Sequence, residues 1–326
     1  MVTLCRSCYM DTEGHDTVEC SACSKTVHTD CRIKEDDQFF CDTCYTQKAI
    51  TPEKVEFHIP EVIRRTYIET YRTCPHKFLK EVIEENHQGP TCYTQIGIDL
   101  HDMFEIGLNN RSYTIEQMKH EYTDLWNNTY PDMDLFKDEE QKVAMWKRSM
   151  DSIDTYYHVL PSIPIPMVTE QTIRYSIGEG IPDVEFTMDA VIEGPEGLEL
   201  LDWKTGQVMV GKKLSSDLQA PLYIYGVQQH FKRPVKRFTF YYLKDNKTRV
   251  FEHVEGVRYK CTVGKRDYYI NLDECIKEIK SIFNQMNKGN FNIPRDTKSM
   301  YFACKMCHLP AMGLCEGADL QAWHNK

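Results

Sequence analysis

The 326-residue chain has no apolar run near the roughly 20 residues that span a bilayer, and its N-terminus has no signal-peptide core. Those absences predict an intracellular, cytoplasmic protein with no membrane partner. There is no Gly-x4-Gly-Lys-Ser/Thr loop, so no ATP-driven motor is expected in this chain. No solenoid-length repeat and no low-complexity tract occurs. An excess of positive charge is also missing: 39 basic residues face 49 acidic ones, a net charge of −10. A uniformly basic nucleic-acid coat is excluded, but a local basic groove is not. The 41% hydrophobic and 11% aromatic content suffices for a core, which excludes wholesale disorder.

What the chain does have is cysteine: 14 residues, clustered rather than spread like a disulfide framework. In a reducing compartment, such clusters read as metal sites. Residues 1–48 have too little aliphatic content to fold on a hydrophobic core alone. Cys5 with Cys8, Cys20 with Cys23, His28 with Cys31 and Cys41 with Cys44 form four ligand pairs, enough for two tetrahedral zinc ions. Such a module folds because it binds metal. The order of four Cys, one His and three Cys resembles a PHD finger, and Phe39 stands where that family has an aromatic. The resemblance implies a peptide-reading or protein-docking unit. Nine acidic against five basic residues in 1–50 argue against a phosphate grip there.

A linker is expected over 49–59, around Ile50-Thr51-Pro52, and a globular domain over 60–326. The pattern predicts helices at Glu61–Asn86, Gln95–Leu108, Ile115–Asn127, Lys137–Val159, Leu214–His230 and Leu272–Met286. Strands are expected at Met167–Tyr175, Val184–Ile192, Leu198–Trp203, Arg237–Leu243 and Thr248–Val254. The fold class is mixed α/β (α+β), a small mixed sheet flanked by helices.

Gly194-Pro195-Glu196-Gly197 are turn residues between two strands. If they close a four-residue loop, Asp189 falls opposite Asp202, with Cβ atoms about 4.5–5.5 Å apart. Lys204 shares that face. Opposed carboxylates repel, and a Mg²⁺ or Mn²⁺ ion between them is the natural compensation. The competing reading is a solvated strand face with a surface salt bridge.

The run Asp202-Trp203-Lys204-Thr205-Gly206, with Asp189 upstream, resembles the PD-(D/E)xK nuclease superfamily. More narrowly it is similar to the RecB-like exonucleases, which include the AddB nuclease domain and the Cas4 nucleases of CRISPR adaptation. The resemblance implies that Asp189 and Asp202 bind metal, that the Trp203 backbone carbonyl also binds it, and that Lys204 assists attack by water. Gly97-Ile98-Asp99-Leu100-His101 resembles the family's helical motif, making His101 a third side-chain ligand. Gln219 and Tyr223 resemble the Gln-x3-Tyr motif and share one helix face. Gln219 would then orient Lys204 or a DNA phosphate.

Tyr71-Arg72-Thr73-Cys74-Pro75 resembles the N-terminal cysteine motif of the iron–sulfur members, and Cys304, Cys307 and Cys315 their C-terminal trio. Four thiolates match a 4Fe–4S cluster stapling the two ends of the domain, and zinc fits the same four. Cys92, Cys261 and Cys275 are left as plain thiols.

Phe186 stands where the family has glycine, and Glu170, an upstream acid that some members use, has no clear motif around it. Residues 205–270 carry 13 Lys or Arg against five Asp or Glu, a local charge of +8 that suits a phosphodiester substrate. These features together predict a metal-dependent DNA exonuclease acting on single-stranded or frayed ends in repair or recombination, with a separate helicase or recombination factor as a partner. A non-catalytic DNA- or protein-binding adaptor and an RNA nuclease are the alternatives.

Overall fold

The computed structural model describes residues 5, 13–21, 23–35, 38–41, 44, 57–87, 89–132, 134–293, 303–305 and 307–315. The chain divides into two compact units, Met1–Phe57 and His58–Lys326. Cys8 and the Ile50-Thr51-Pro52 linker lie outside the described residues.

The first unit is built from two short antiparallel ribbons. Strand β1 (Thr17–Glu19) pairs with β2 (Thr26–His28), and β3 (Ile33–Glu35) with β4 (Gln38–Phe40). Its buried cluster is Cys5, Cys20, Val27 and Cys41, so sulfur takes the place that aliphatic carbon fills in an ordinary core.

The second unit begins with β5 (Val62–Arg64) and α1 (Arg65–Thr73). A single helix was expected over Glu61–Asn86, and it is interrupted. Pro75 has no amide hydrogen and restricts the residue before it, so Cys74 is extended at φ −154° and ψ 105°. The chain restarts as α2 (Pro75–Phe78) and a π-helical turn, Leu79–Ile83. Three longer helices follow: α3 (Cys92–Asn109), α4 (Ile115–Thr129) and α5 (Glu139–Val159). Thr91 and Thr114 each close a capping box, and Asp138 accepts from the Gln141 amide.

Strands β6 (Val168–Tyr175), β7 (Asp183–Glu193) and β8 (Leu198–Lys204) come next. The expected helix Leu214–His230 is also divided, into α6 (Lys213–Ser216) and α7 (Gln219–Phe231). Asp217 is extended between them, and its Oδ2 accepts from the amides of Gln219 (3.0 Å) and Ala220 (3.2 Å). Asp217 with Pro221 in the first turn of α7 was the available helix-start signal. Strand β9 (Val235–Tyr242) then lies parallel to β8, and the antiparallel β10 (Lys247–Glu255), β11 (Arg258–Val263) and β12 (Arg266–Asn271) extend the sheet before α8 (Leu272–Asn287).

The sheet has eight strands, in the order β12-β11-β10-β9-β8-β7-β5 with β6 also on β7. It is larger than the sequence pattern indicated, because β5 lies inside the expected helix Glu61–Asn86 and β11 and β12 went unread. Their charged ends and half-exposed faces mask the burial of Tyr259, Cys261 and Ile270. One core lies between the sheet and α1, α7 and α8, and a second between its other face and α3, α4 and α5.

Strand β7 governs where chemistry is possible. One edge pairs with β6 along nearly its whole length. The opposite edge is shared: β5 takes Asp183–Glu185 and β8 takes Ala190–Glu193. Residues 186–189 of that edge are left between two diverging neighbours, and Asp189 sits there.

Phe186, where the family has glycine, is accommodated by glycine elsewhere. It stacks on Tyr223 at 4.0 Å between centroids, and Gly226 of α7 faces it. A Cβ at Gly226 would stand 2.5 Å from Tyr175 Cε1 and 2.6 Å from Phe186 Cε1. Gly226→Ala is therefore expected to destabilise this unit by about 1–3 kcal/mol through overpacking. Urea unfolding checks this; an unchanged midpoint means the rings yield freely.

Candidate metal centre

The register expected for β7 and β8 is present. Glu193 pairs with Leu198 and Ala190 with Leu201, closed by Gly194 N donating to Gly197 O at 2.9 Å. The ladder stops one position short of Asp189 and Asp202. In its place Asp189 Oδ2 accepts from the Trp203 amide at 2.6 Å. The two carboxylates are therefore not a simple opposed pair; each turns to its own partners.

Asp189 turns its Oδ1 to His101 Nδ1, 3.3 Å away. His101 rides on α3, whose position is set from the other side of the helix. There Asp99, 6% exposed, accepts from the hydroxyl of Tyr130 and from Gln95 Nε2. Asp99 belongs to the same five-residue motif as His101, but it anchors the helix rather than facing the site.

Glu170 completes the group. Its φ is +44°, in the left-handed region, and the β6–β7 ladder skips it between Thr169 and Gln171. The register is the same on either side and sets Glu170 across from Asp189, and ligand atoms of His101, Glu170 and Asp189 lie within 4.8 Å of one another. Sequence reasoning singled Glu170 out but found no motif to place it. The β6–β7 register that places it leaves no motif in the sequence around it.

Asp202 lies beside this group and is 2% exposed. Lys204 Nζ is 2.6 Å from its Oδ2, and Gln219 Nε2 donates to its Oδ1 at 2.6 Å. Gln219 was expected to orient Lys204 or a phosphate. It is itself buried, and its amide bonds Asp202, the carboxylate that also pairs with Lys204. Tyr223, one turn further along α7, packs on Phe186. Beneath the site Trp203 is buried against Tyr156, Phe104 and Tyr241, which fixes the end of β8.

The electrostatics are those of crowded anions. Burial, with Asp189 adding to it, pushes Glu170 up to about 7. Burial raises Asp202 to about 6 against the pull of Lys204. For His101, burial lowers the pKa but the Asp189 carboxylate outweighs it, and the imidazole is raised to about 9. His101 and Lys204 are the basic side chains that face these carboxylates, on Asp189 and Asp202 respectively. Three carboxylates and one imidazole in so small a space are a donor set that suits Mg²⁺ or Mn²⁺.

The basic run over 205–270 does not act as one surface. Arg233, in the turn before β9, pairs with Glu193, while Arg237 on β9 pairs with Glu199 and Glu252, and Arg258 on β11 with Glu255. The cations beside the site are Lys204, Lys213, Arg65 and Arg72, which line a cavity of about 840 Å³. Arg65 and Arg72 come from α1, far from that run in sequence, and charge counting along the chain missed them.

The cysteines fall into distinct sets, and none of those described is in a disulfide. The ligand atoms of Cys20, Cys23, Cys41 and Cys44 lie within 4.8 Å of one another, as do those of Cys5, His28 and Cys31. Neighbouring thiols, Cys41 first, push Cys44 up to about 12, a crowding that a bound cation reverses. Cys74, Cys304, Cys307 and Cys315 share an electrostatic neighbourhood rather than a closed cage. Burial first, then Cys304 and Cys307, raises Cys74, and Cys315 adds to the rise at Cys307. The segment 307–315 is held to α2 and the π turn by His76 Nε2 donating to Leu314 O (3.2 Å) and by His308 against Glu81 (3.4 Å). Cys261 and Cys275 are buried in the first core and Cys92 in the second.

Among the described residues no helix is long and apolar enough to cross a membrane. Residues 66–315 match the family model described as the PD-(D/E)XK nuclease superfamily. No curated protein sequence matches the chain. Among solved structures, the chain is similar to the crystal structure of SSO0001, with 12% identity and a TM-score of 0.30 over 83% of this chain and 92% of that one.

Proposed function

The chain belongs to the PD-(D/E)XK nuclease superfamily, and we propose that it hydrolyses DNA, working from single-stranded or frayed ends. At the level of the superfamily it is a metal-dependent, phosphodiester-hydrolysing nuclease. The observation that carries the reading is the convergence of His101, Glu170 and Asp189 beside the Asp202–Lys204 pair.

His101, Glu170, Asp189 and Asp202 hold Mg²⁺ or Mn²⁺, with the Trp203 carbonyl as a further donor. When bound, such an ion lowers the pKa of a water and offsets charge on the phosphate. The chain's own residues do the rest. Asp202 and Gln219 hold Lys204 in place, and its ammonium steadies the attacking water and the charge developing on phosphorus. The Trp203 amide fixes the rotamer of Asp189. Tyr223 and the basic cavity position the strand.

In the first unit the two ligand sets support a PHD-like module with two Zn²⁺, with Cys8 as the fourth ligand beside Cys5, His28 and Cys31. Its working surface is for a protein partner. Cys74, Cys304, Cys307 and Cys315 hold a 4Fe–4S cluster, with zinc as the alternative, and staple the ends of the nuclease unit together. The RecB-like resemblance fits partnership with a separate helicase or recombination factor.

The test is cleavage of end-labelled single- and double-stranded DNA, and of matched RNA, in Mg²⁺ and Mn²⁺ after anaerobic purification. The expected result is a product ladder from one end of single-stranded DNA, lost in Asp202→Ala. Cleavage of RNA alone transfers the substrate assignment, and an inert metal-replete protein overturns the reading.

A further inference from the structure

Two cavities open on either side of Arg65. The larger, about 840 Å³, reaches Lys204 and Gln219, and the smaller, about 460 Å³, reaches Tyr223 of α7 and Phe186 and Thr187 of β7. Arg65 lines both. It is the first residue of α1, and that helix has no acidic residue in its first turn. A cation there opposes the helix dipole. Its pairing with Glu69 four residues on is also the less favourable order for a helix ion pair. Helix stability therefore does not account for an arginine at this position.

Its geometry does suggest a use. NH1 donates to both Glu69 oxygens, at 2.9 and 2.8 Å. That contact fixes the side chain in place, between the two cavities. Among the described residues, Nε and NH2 donate to no protein atom. Those two groups form the edge of the guanidinium that matches a pair of phosphate oxygens. Against the effect of burial, Glu69 first, then Tyr223, Asp217 and Asp202, act on the guanidinium through their charge and raise its pKa. Arg72, two turns along the same face of α1, lines the larger cavity, with Nε on Glu278 (2.9 Å) and NH1 on the Ser216 carbonyl (2.6 Å). Arg65 precedes the segment matched by the family model, which begins at residue 66.

We propose that Arg65 clamps the backbone of the substrate strand, taking a phosphodiester group on its Nε–NH2 edge as the strand passes from one cavity to the other. Arg72 and Lys213 follow the strand through the larger cavity. The clamp sets which phosphate arrives beside Asp189 and Asp202. This inference rests on the nuclease reading above and specifies how that site holds a single strand.

The experiment is binding of a fluorescein-labelled single-stranded oligodeoxynucleotide to the full chain, in Ca²⁺ and over a salt series. Arg65→Ala is expected to raise Kd about 10- to 100-fold and to flatten the slope of log Kd against log salt by about 0.7, one phosphate contact on a single strand. Arg65→Lys keeps the slope but still binds several-fold more weakly, because an ammonium has no fork. A structural role alone lowers the thermal midpoint and leaves the slope untouched; that result overturns the clamp. If Arg65→Ala does not fold, Arg65→Lys decides by its Kd, and affinity equal to wild type overturns the clamp. Wild-type cleavage in Mg²⁺ runs alongside. If wild type cleaves and Arg65→Ala binds as tightly as wild type, the clamp alone fails. If wild type neither binds nor cleaves, the nuclease reading fails and the clamp fails with it.

Discussion

Lys204→Ala is expected to lower the rate of cleavage by about 10²- to 10⁴-fold, mostly in kcat. The side chain is three-quarters buried, fixed by Asp202 Oδ2 at 2.6 Å and lying 5.3 Å from the Phe240 ring. An ammonium held so firmly has already given up its rotamer entropy, so its alignment costs nothing further during reaction. Its loss also leaves Asp202, 2% exposed, with Gln219 as its remaining hydrogen-bond partner. The Lys204 charge pulls the Asp202 pKa down, so its removal pushes that carboxyl further up. A stability loss of about 1–3 kcal/mol accompanies the change, at the modest end for a broken buried pair because Lys204 keeps some solvent. Single-turnover rates and thermal midpoints, measured together, separate the two effects. Lys204→Arg restores charge but brings a planar fork to a site shaped for a point cation, and is expected to recover little. If Lys204→Ala melts early yet cleaves at the wild-type rate, the lysine is structural and the proposed chemistry is wrong.

Stripping the metal from the full chain is expected to unfold residues 1–57 and to leave the nuclease unit folded. The buried cluster of the first unit contains three cysteines and one valine among its described residues. An aliphatic core that small cannot offset chain entropy, whereas a structural zinc ion contributes about 10–16 kcal/mol. Elemental analysis should return two zinc ions per chain beyond any metal at the Cys74 set, with one lost in Cys41→Ser or in His28→Ala, each of which removes a ligand from a different set. Amide dispersion in NMR spectra should collapse for residues 1–57 on chelation. A first unit that stays folded without metal would refute the zinc assignment.

The candidate metal centre was legible to the extent that it is local. Turn residues at 194–197 set the β7–β8 register, and the register brought Asp189 near Asp202 and Lys204. His101 was legible from its motif on a helix that does form. Glu170 was not, because its place depends on the β6–β7 register, which sets it across from Asp189. The direct partner of Gln219 was not legible either. Its spacing from Tyr223 says that the two share a helix face, but not that the face is buried against Asp202. The breaks at Cys74 and Asp217 were written in Pro75 and Pro221, yet apolar periodicity runs straight through both.

The sequence by itself determined the residue types, the local turns and the ligand pairs, since each depends on neighbours a few positions away. Tertiary structure decided what those pieces do together. It interleaved the N-terminal ligands, so that Cys20 and Cys23 join Cys41 and Cys44 while Cys5 joins His28 and Cys31. It also parted β5 from β8 along one edge of β7 and set Arg65 between the two cavities. Such juxtapositions come from the twist and packing of strands far apart in the chain, and no short stretch of sequence encodes them.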